Sequence, residues 1–404
     1  MELTKNMNAD NILRDRQAGG ESLTKKRQIR SSNFELLRIL AMLVIIVFHI
    51  VNHCVEPQIT DADSISRMGN GLFNNPVIYK KFYILYTIIP FGKIGVAIFV
   101  LISGYFLVKK GSQVDIAKIA KKLLLQLGFA SLVLVFASAF LYRCVWHGEQ
   151  YVGMRTMLHF NTNSWFVGYY FLLVLLGFLF LNKFLISLSG KNYFTFLIVF
   201  FALSQFSWTG TMAESLATGV RVLLAGIFLY ALGGYIRLYN PFDKYRLWPF
   251  LLVIALTYVV IYVSCYNNMV QKIEDYLRNG SNGTFYQSFF WWGDYSIVVI
   301  ILSVAIFEIF RRIKMPNSRV INFIASGTFM VYLLHDNSFT YSIFDMKDWA
   351  TLLAENPYSF MLGLTLWTLA TFVIGELVYV VYLGVGMLLR RGMNMAIKPH
   401  SPKE

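Results

Sequence analysis

The sequence predicts an all-α polytopic membrane protein with about ten transmembrane helices and both termini on the cytoplasmic side. Hydrophobic residues fill 56% of its 404 positions, charged residues only 14%, and the mean hydropathy is +0.54. A soluble domain carries about 25% charged residues. Apolar stretches long enough to cross a hydrocarbon core of about 30 Å recur over the whole length. The basic residues between those stretches are distributed unequally, which sets an orientation.

Ten segments meet the length requirement: 36–55, 88–108, 120–141, 164–182, 193–208, 218–237, 247–265, 288–310, 320–336 and 361–389. The fifth is short and the ninth is the least apolar, so nine or eleven spans remain alternatives. With the N-terminus inside, 26 of the 36 Lys and Arg fall in the tails and inner loops and 10 at outer positions. An even number of spans then returns the C-terminus to the inside, beside Arg390 and Arg391. The net charge of +14 reads as topology and attraction to anionic lipid, with no nucleic acid partner implied.

Residues 1–33 are polar and basic without apolar periodicity, the composition of a disordered cytoplasmic tail. The membrane domain is expected over 34–390 and a short cytoplasmic tail over 391–404, with no soluble catalytic domain at either end. The first span is too long for a cleaved signal peptide, and VNHCVEP offers no small-residue cleavage site. The long outer loops 56–87, 142–163 and 266–287 are rich in Asn, Gly, Tyr and carboxylates. Such surfaces suit a hydroxylated partner, although exposed loops are polar in any case. Cys54, Cys144 and Cys265 all fall near outer helix ends, where apolar burial is the default and a disulfide the alternative.

Ionisable groups inside a bilayer are costly, which draws attention to the first span. Arg38 and His49 are eleven residues apart in FELLRILAMLVIIVFHIVNHCV and return to nearly the same helical face, about 16 Å apart along the axis. Glu35 shares that face. Arg38 either marks a site or snorkels to the interface, and His49 either acts in chemistry or bonds a neighbouring helix. On the cytoplasmic side, Ser103, Gly104 and Tyr105 end the second span, and Lys118, Lys121 and Lys122 form a basic face at the start of the third. That face can hold phosphates as point charges, or it is simply the positive-inside signal. Toward the outer side lie His49 and His53, His159, Asn163, Ser164, Trp165 and Arg221, and His335–Asp336 in TFMVYLLHDN. A histidine near neutral pKa can serve as general base toward an alcohol. No metal is expected, since the histidines lack acidic partners at ligand spacing. Glu308 and Glu376 default to structural hydrogen bonds.

The ordered set of motifs resembles a known family. Arg38 and His49 in the first span, GVAIFVLISGYFL in the second, the basic start of the third, SWFVGYYFLLVLLGFLF in the fourth and TFMVYLLHDN in the ninth are together similar to the bacterial integral membrane acyltransferases of acyltransferase family 3. The resemblance covers residues 33–389. It implies transfer of an acyl group, usually acetyl, from cytoplasmic acyl-CoA to a hydroxyl of a cell-surface or lipid-linked polysaccharide, in the bacterial plasma membrane. It implies His49 as catalytic base with His335 in reserve. Arg38, Ser103–Tyr105 and Lys118, Lys121 and Lys122 fall to the donor, and Asn163, Trp165 and Tyr169 to the acceptor. Acetyl-CoA would be a co-substrate, with no permanently bound cofactor.

Two departures stand out. Many relatives carry a Glu shortly after the fourth-span Trp, where this chain reads Phe166 to Tyr170, and the third span starts with Lys rather than Arg. Relatives that modify peptidoglycan often carry an additional esterase-like domain, so a capsule or exopolysaccharide acceptor is expected here. Two other readings share the composition: an exporter of a saccharide or small polar solute with the histidines as proton relays, and a polysaccharide polymerase. Only the transferase should consume acyl-CoA.

Overall fold

The computed structural model describes residues 31–55, 57–58, 76–110, 115–144, 165–205, 214–279 and 295–396. All regular structure among them is helical. Ser32–Glu404 forms one compact unit. In chain order the helices are α1 (Ser32–Ile50), continued by a π-helical turn at Val51–Val55, α2 (Pro76–Leu107), α3 (Ile116–Cys144) and α4 (Trp165–Leu176). A second π turn at Gly177–Leu181 leads into α5 (Asn182–Ser187), then α6 (Gly190–Gln205), α7 (Glu214–Tyr239), α8 (Trp248–Asn279) and α9 (Ile297–Arg312). The chain ends with α10 (Arg319–His335), the short α11 (Ser338–Phe344) and α12 (Trp349–Glu355), and the long α13 (Pro357–Ala396).

The described parts of the ten apolar segments expected from sequence are helical apart from one or two residues at their ends. Segment 164–182 is divided over α4, the π turn and the start of α5, whereas 164, 206–208 and 288–294 lie outside the described residues. Among the described residues, five helices are long and apolar enough to cross a membrane: Ser32–Val55, Ile116–Leu141, Phe166–Ser187, Val220–Tyr239 and Pro357–Gly392. Gly92–Leu107 and Trp248–Ser264 are shorter apolar helices. Helix α1 begins at Ser32, inside the stretch expected to be a tail, because its first residues are tied down. Ser32 Oγ donates to Asn317 and Asn322 and accepts from Ser318 N, and Asn33 Nδ2 donates to Phe310 O. The short helices α11 and α12 were not expected. Asn337 and Asp348 cap them by accepting from Thr340 N and Thr351 N, respectively.

Lipid tails are as apolar as leucine, so helices in a membrane associate by close packing of small residues. Helix α2 uses glycine twice in this way. A Cβ on Gly95 would lie 2.6 Å from Ala41 O of α1, and one on Gly104 would lie 1.9 Å from Tyr230 O of α7. From α7, a Cβ on Gly233 would lie 2.3 Å from Leu101 O. The end of α2 is sealed by Asn182, whose amide donates to the Leu107 and Lys110 carbonyls while Tyr230 OH donates to its oxygen. Carbonyls left over at a helix end are thus satisfied inside the protein. The result is a rigid α1–α2–α7 core, against which α9 and α10 pack.

Candidate active site

His49 lies on the last turn of α1, just before the helix widens into its π turn. The motif LHDN places His335 at the end of α10, where the chain breaks sharply. Leu334 O accepts from Asn337 Nδ2 and Thr340 Oγ1, so the break leaves no orphaned carbonyl there. The two imidazoles meet, with His49 Nδ1 2.9 Å from His335 Nε2 and the rings stacked at 4.9 Å. His335 is fully buried, and its Nδ1 lies 3.1 Å from Val331 O.

These contacts fix the proton positions. A carbonyl oxygen can only accept, so His335 Nδ1 carries a hydrogen and donates to Val331 O. In the neutral ring its Nε2 is then the acceptor, and His49 Nδ1 must donate to it. The neutral His49 therefore holds its lone pair on Nε2, and no described residue hydrogen-bonds that atom. The arrangement leaves one oriented, unprotonated nitrogen that can accept a proton.

A carboxylate stands behind this pair. Asp336 Oδ1 lies 3.9 Å from His49 Nδ1, and its side chain is 5% exposed. Burying an ionised carboxylate costs several kcal/mol unless donors compensate. Here Tyr332 OH donates to Oδ2 at 2.9 Å and Tyr341 OH donates to Oδ1 at 2.5 Å. Tyr341 also stacks on His53 at 4.4 Å, so α11 closes one side of the cluster. Gln58 ties the α11–α12 connection down: its amide donates to Lys347 O, and its oxygen accepts from Trp349 N.

The structure brings together only some of the residues singled out from sequence. Arg38 Nη1 bonds both Glu35 oxygens at 2.9 and 3.0 Å. Ser103 Oγ contacts Tyr170 OH at 2.7 Å, Gly104 is occupied by helix packing, and Tyr105 OH accepts from Arg237. Lys118, Lys121 and Lys122 are exposed along α3. Tyr169 OH donates to Val222 O of α7. Trp165 opens α4, whereas His159, Asn163 and Ser164 lie outside the described residues. Glu308 bonds Arg311 and Arg312, while both oxygens of Glu376 are buried without a hydrogen-bond partner. Cys54 and Cys144 are free thiols. Among the described residues, no three His, Cys, Asp or Glu side chains are grouped to hold a metal ion. Asp336 was singled out beside His335, but the tyrosines that hold it were not: Tyr332 lies in the string YLLHDN and Tyr341 beyond it.

A family model described as an acyltransferase domain (acyltransferase family 3) matches residues 31–385. No curated protein and no solved structure matches the chain.

Proposed function

Because the chain belongs to acyltransferase family 3 and is a membrane acyltransferase, we propose that it moves an acetyl group from cytoplasmic acetyl-CoA to a hydroxyl of a cell-surface or lipid-linked polysaccharide. The observation that carries this reading is the His49–His335–Val331 chain of hydrogen bonds, which leaves His49 Nε2 as an oriented base. The proposed setting is a bacterial plasma membrane, with a 34–390 domain of ten spans and both termini cytoplasmic. His335 orients His49, a role in which it need not touch substrate.

In the proposed reaction His49 Nε2 takes the proton of the acceptor hydroxyl as the oxygen attacks the thioester carbonyl carbon. The carbon–sulfur bond breaks, and the proton held on His49 passes to the departing thiolate. The products are the acetyl ester and free CoA, with no net proton to export. Asp336 opposes the positive charge that His49 carries between the two transfers. The interior helices around the thioester suppress its hydrolysis by excluding water. Asn163, Trp165 and Tyr169 remain the proposed acceptor contacts, and Arg38, Ser103, Tyr105, Lys118, Lys121 and Lys122 the proposed donor contacts, with Gly104 taken up by its contact with α7.

The test is glycan acetate content in cells carrying His49→Ala at matched, membrane-inserted protein levels. Loss of a general base lowers rate by about 10²–10⁴-fold, so acetylation should fall to background. Near-normal acetylation would remove His49 from the chemistry.

A further inference from the structure

Four helices deliver arginines or aromatic rings to one place at the end of the bundle opposite the histidines. Phe34 of α1, Tyr105 and Phe106 of α2 and Phe307 of α9 form a ring cluster with centroid separations of 5.1 to 5.5 Å. Arg237, in the last turn of α7, lies over the Tyr105 ring at 4.9 Å and donates to its hydroxyl at 3.1 Å. Just beyond it, α7 terminates at Asn240 in the left-handed region at φ 48°. Arg311 is one turn beyond Phe307 on α9, and the Phe307 ring lies 5.5 Å from that of Tyr105.

The charges at this place do not balance. Among the described residues Glu35 pairs with Arg38 alone, and the wholly buried Glu308 is shared by Arg311 and Arg312. Among the described residues Arg237 pairs with no carboxylate. Asp243 approaches Arg311 at 4.0 Å but is 73% exposed, so water screens that contact. Positive charge therefore exceeds the buried negative charge, and it is carried by arginines, whose planar forks match phosphate oxygens. Arg237 is itself exposed, but its guanidinium is held by both a ring face and a hydroxyl and so is oriented in advance.

We propose that Arg237 and Arg311, arranged around Tyr105, are the phosphate-binding part of the donor site and take the nucleotide end of the acyl-CoA. The proposal rests on the acetyl-CoA reading above and adds residues to it. A donor anchored there directs its thioester along α1 toward His49, about 22 Å from the level of Phe34 at 1.5 Å per residue.

The test uses the full chain in detergent, with adenosine 3′,5′-bisphosphate as binding probe and two thioesters as donors: acetyl-CoA, and S-acetylpantetheine, which lacks the nucleotide. The wild type should bind the bisphosphate, and Arg237→Gln should weaken that binding about 10-fold or more. The ratio of kcat/KM for acetyl-CoA to that for S-acetylpantetheine should fall by a similar factor, with partial recovery in Arg237→Lys. Tyr105→Phe, which removes only the orienting hydroxyl, should move both quantities the same way by less. It serves as the second variant if Arg237→Gln does not accumulate. No bisphosphate binding by the wild type, or an unchanged ratio in variants that lose activity on both donors, overturns the proposal. If the wild type binds the bisphosphate through Arg237 but turns over neither thioester, the acetyl-donor reading falls and the phosphate site stands.

Discussion

At the scale of single residues, the site depends on which nitrogen of each histidine carries hydrogen. Val331 O selects the His335 tautomer, His335 selects that of His49, and Asp336 faces the result at 3.9 Å from His49 Nδ1. Two tyrosine hydroxyls keep Asp336 in place, so Asp336→Asn should fit the same space while losing the charge. We expect kcat to fall about 10²-fold or more, with KM for acetyl-CoA within about twofold of wild type. Steady-state kinetics on the purified variant check this. A parallel change in both parameters would assign Asp336 to structure alone. His335→Gln is a second probe, since a side-chain amide can accept from His49 but cannot reproduce the ring stack. It should retain donor binding and lose most turnover.

At the scale of elements, close backbone approach sets how the central helices meet. Helix α2 reaches α7 only because Gly104 has no Cβ to meet Tyr230 O. Gly104→Ala should force these helices apart and destabilise by about 1–3 kcal/mol, read as a lowered Tm in detergent. Gly128→Ala, on α3, is the control, because a Cβ there has nothing within 4 Å. A similar Tm for both variants would show that the α2–α7 approach is not limiting. The same close approach brings Tyr105 of α2 beneath Arg237 of α7, so Gly104→Ala should also weaken bisphosphate binding.

At the scale of the whole molecule, orientation decides which substrate meets which end of the bundle. The basic asymmetry predicts an N-terminus on the inside. In a background with Cys54, Cys144 and Cys265 replaced by Ser, Asn70→Cys and Gly280→Cys should label from outside, and Ser112→Cys and Met315→Cys only after permeabilisation. Outside labelling at position 112 would reverse the topology and with it the donor side. The helical class and the positions of the apolar segments were legible from sequence, because a bilayer requires long runs of apolar residues whatever their neighbours. Arg38 and His49 were legible for the same reason, as charged or titratable groups on an apolar helix are conspicuous. The sequence alone did not reveal the pairing of His49 with a residue 286 positions away, the tyrosines that hold Asp336, or the place of Arg237 over Tyr105. Local periodicity reports which face of a helix is apolar but not which helix it meets. Those meetings arise from glycine-to-carbonyl contacts and a chain break at LHDN, and only the packed tertiary structure decides them.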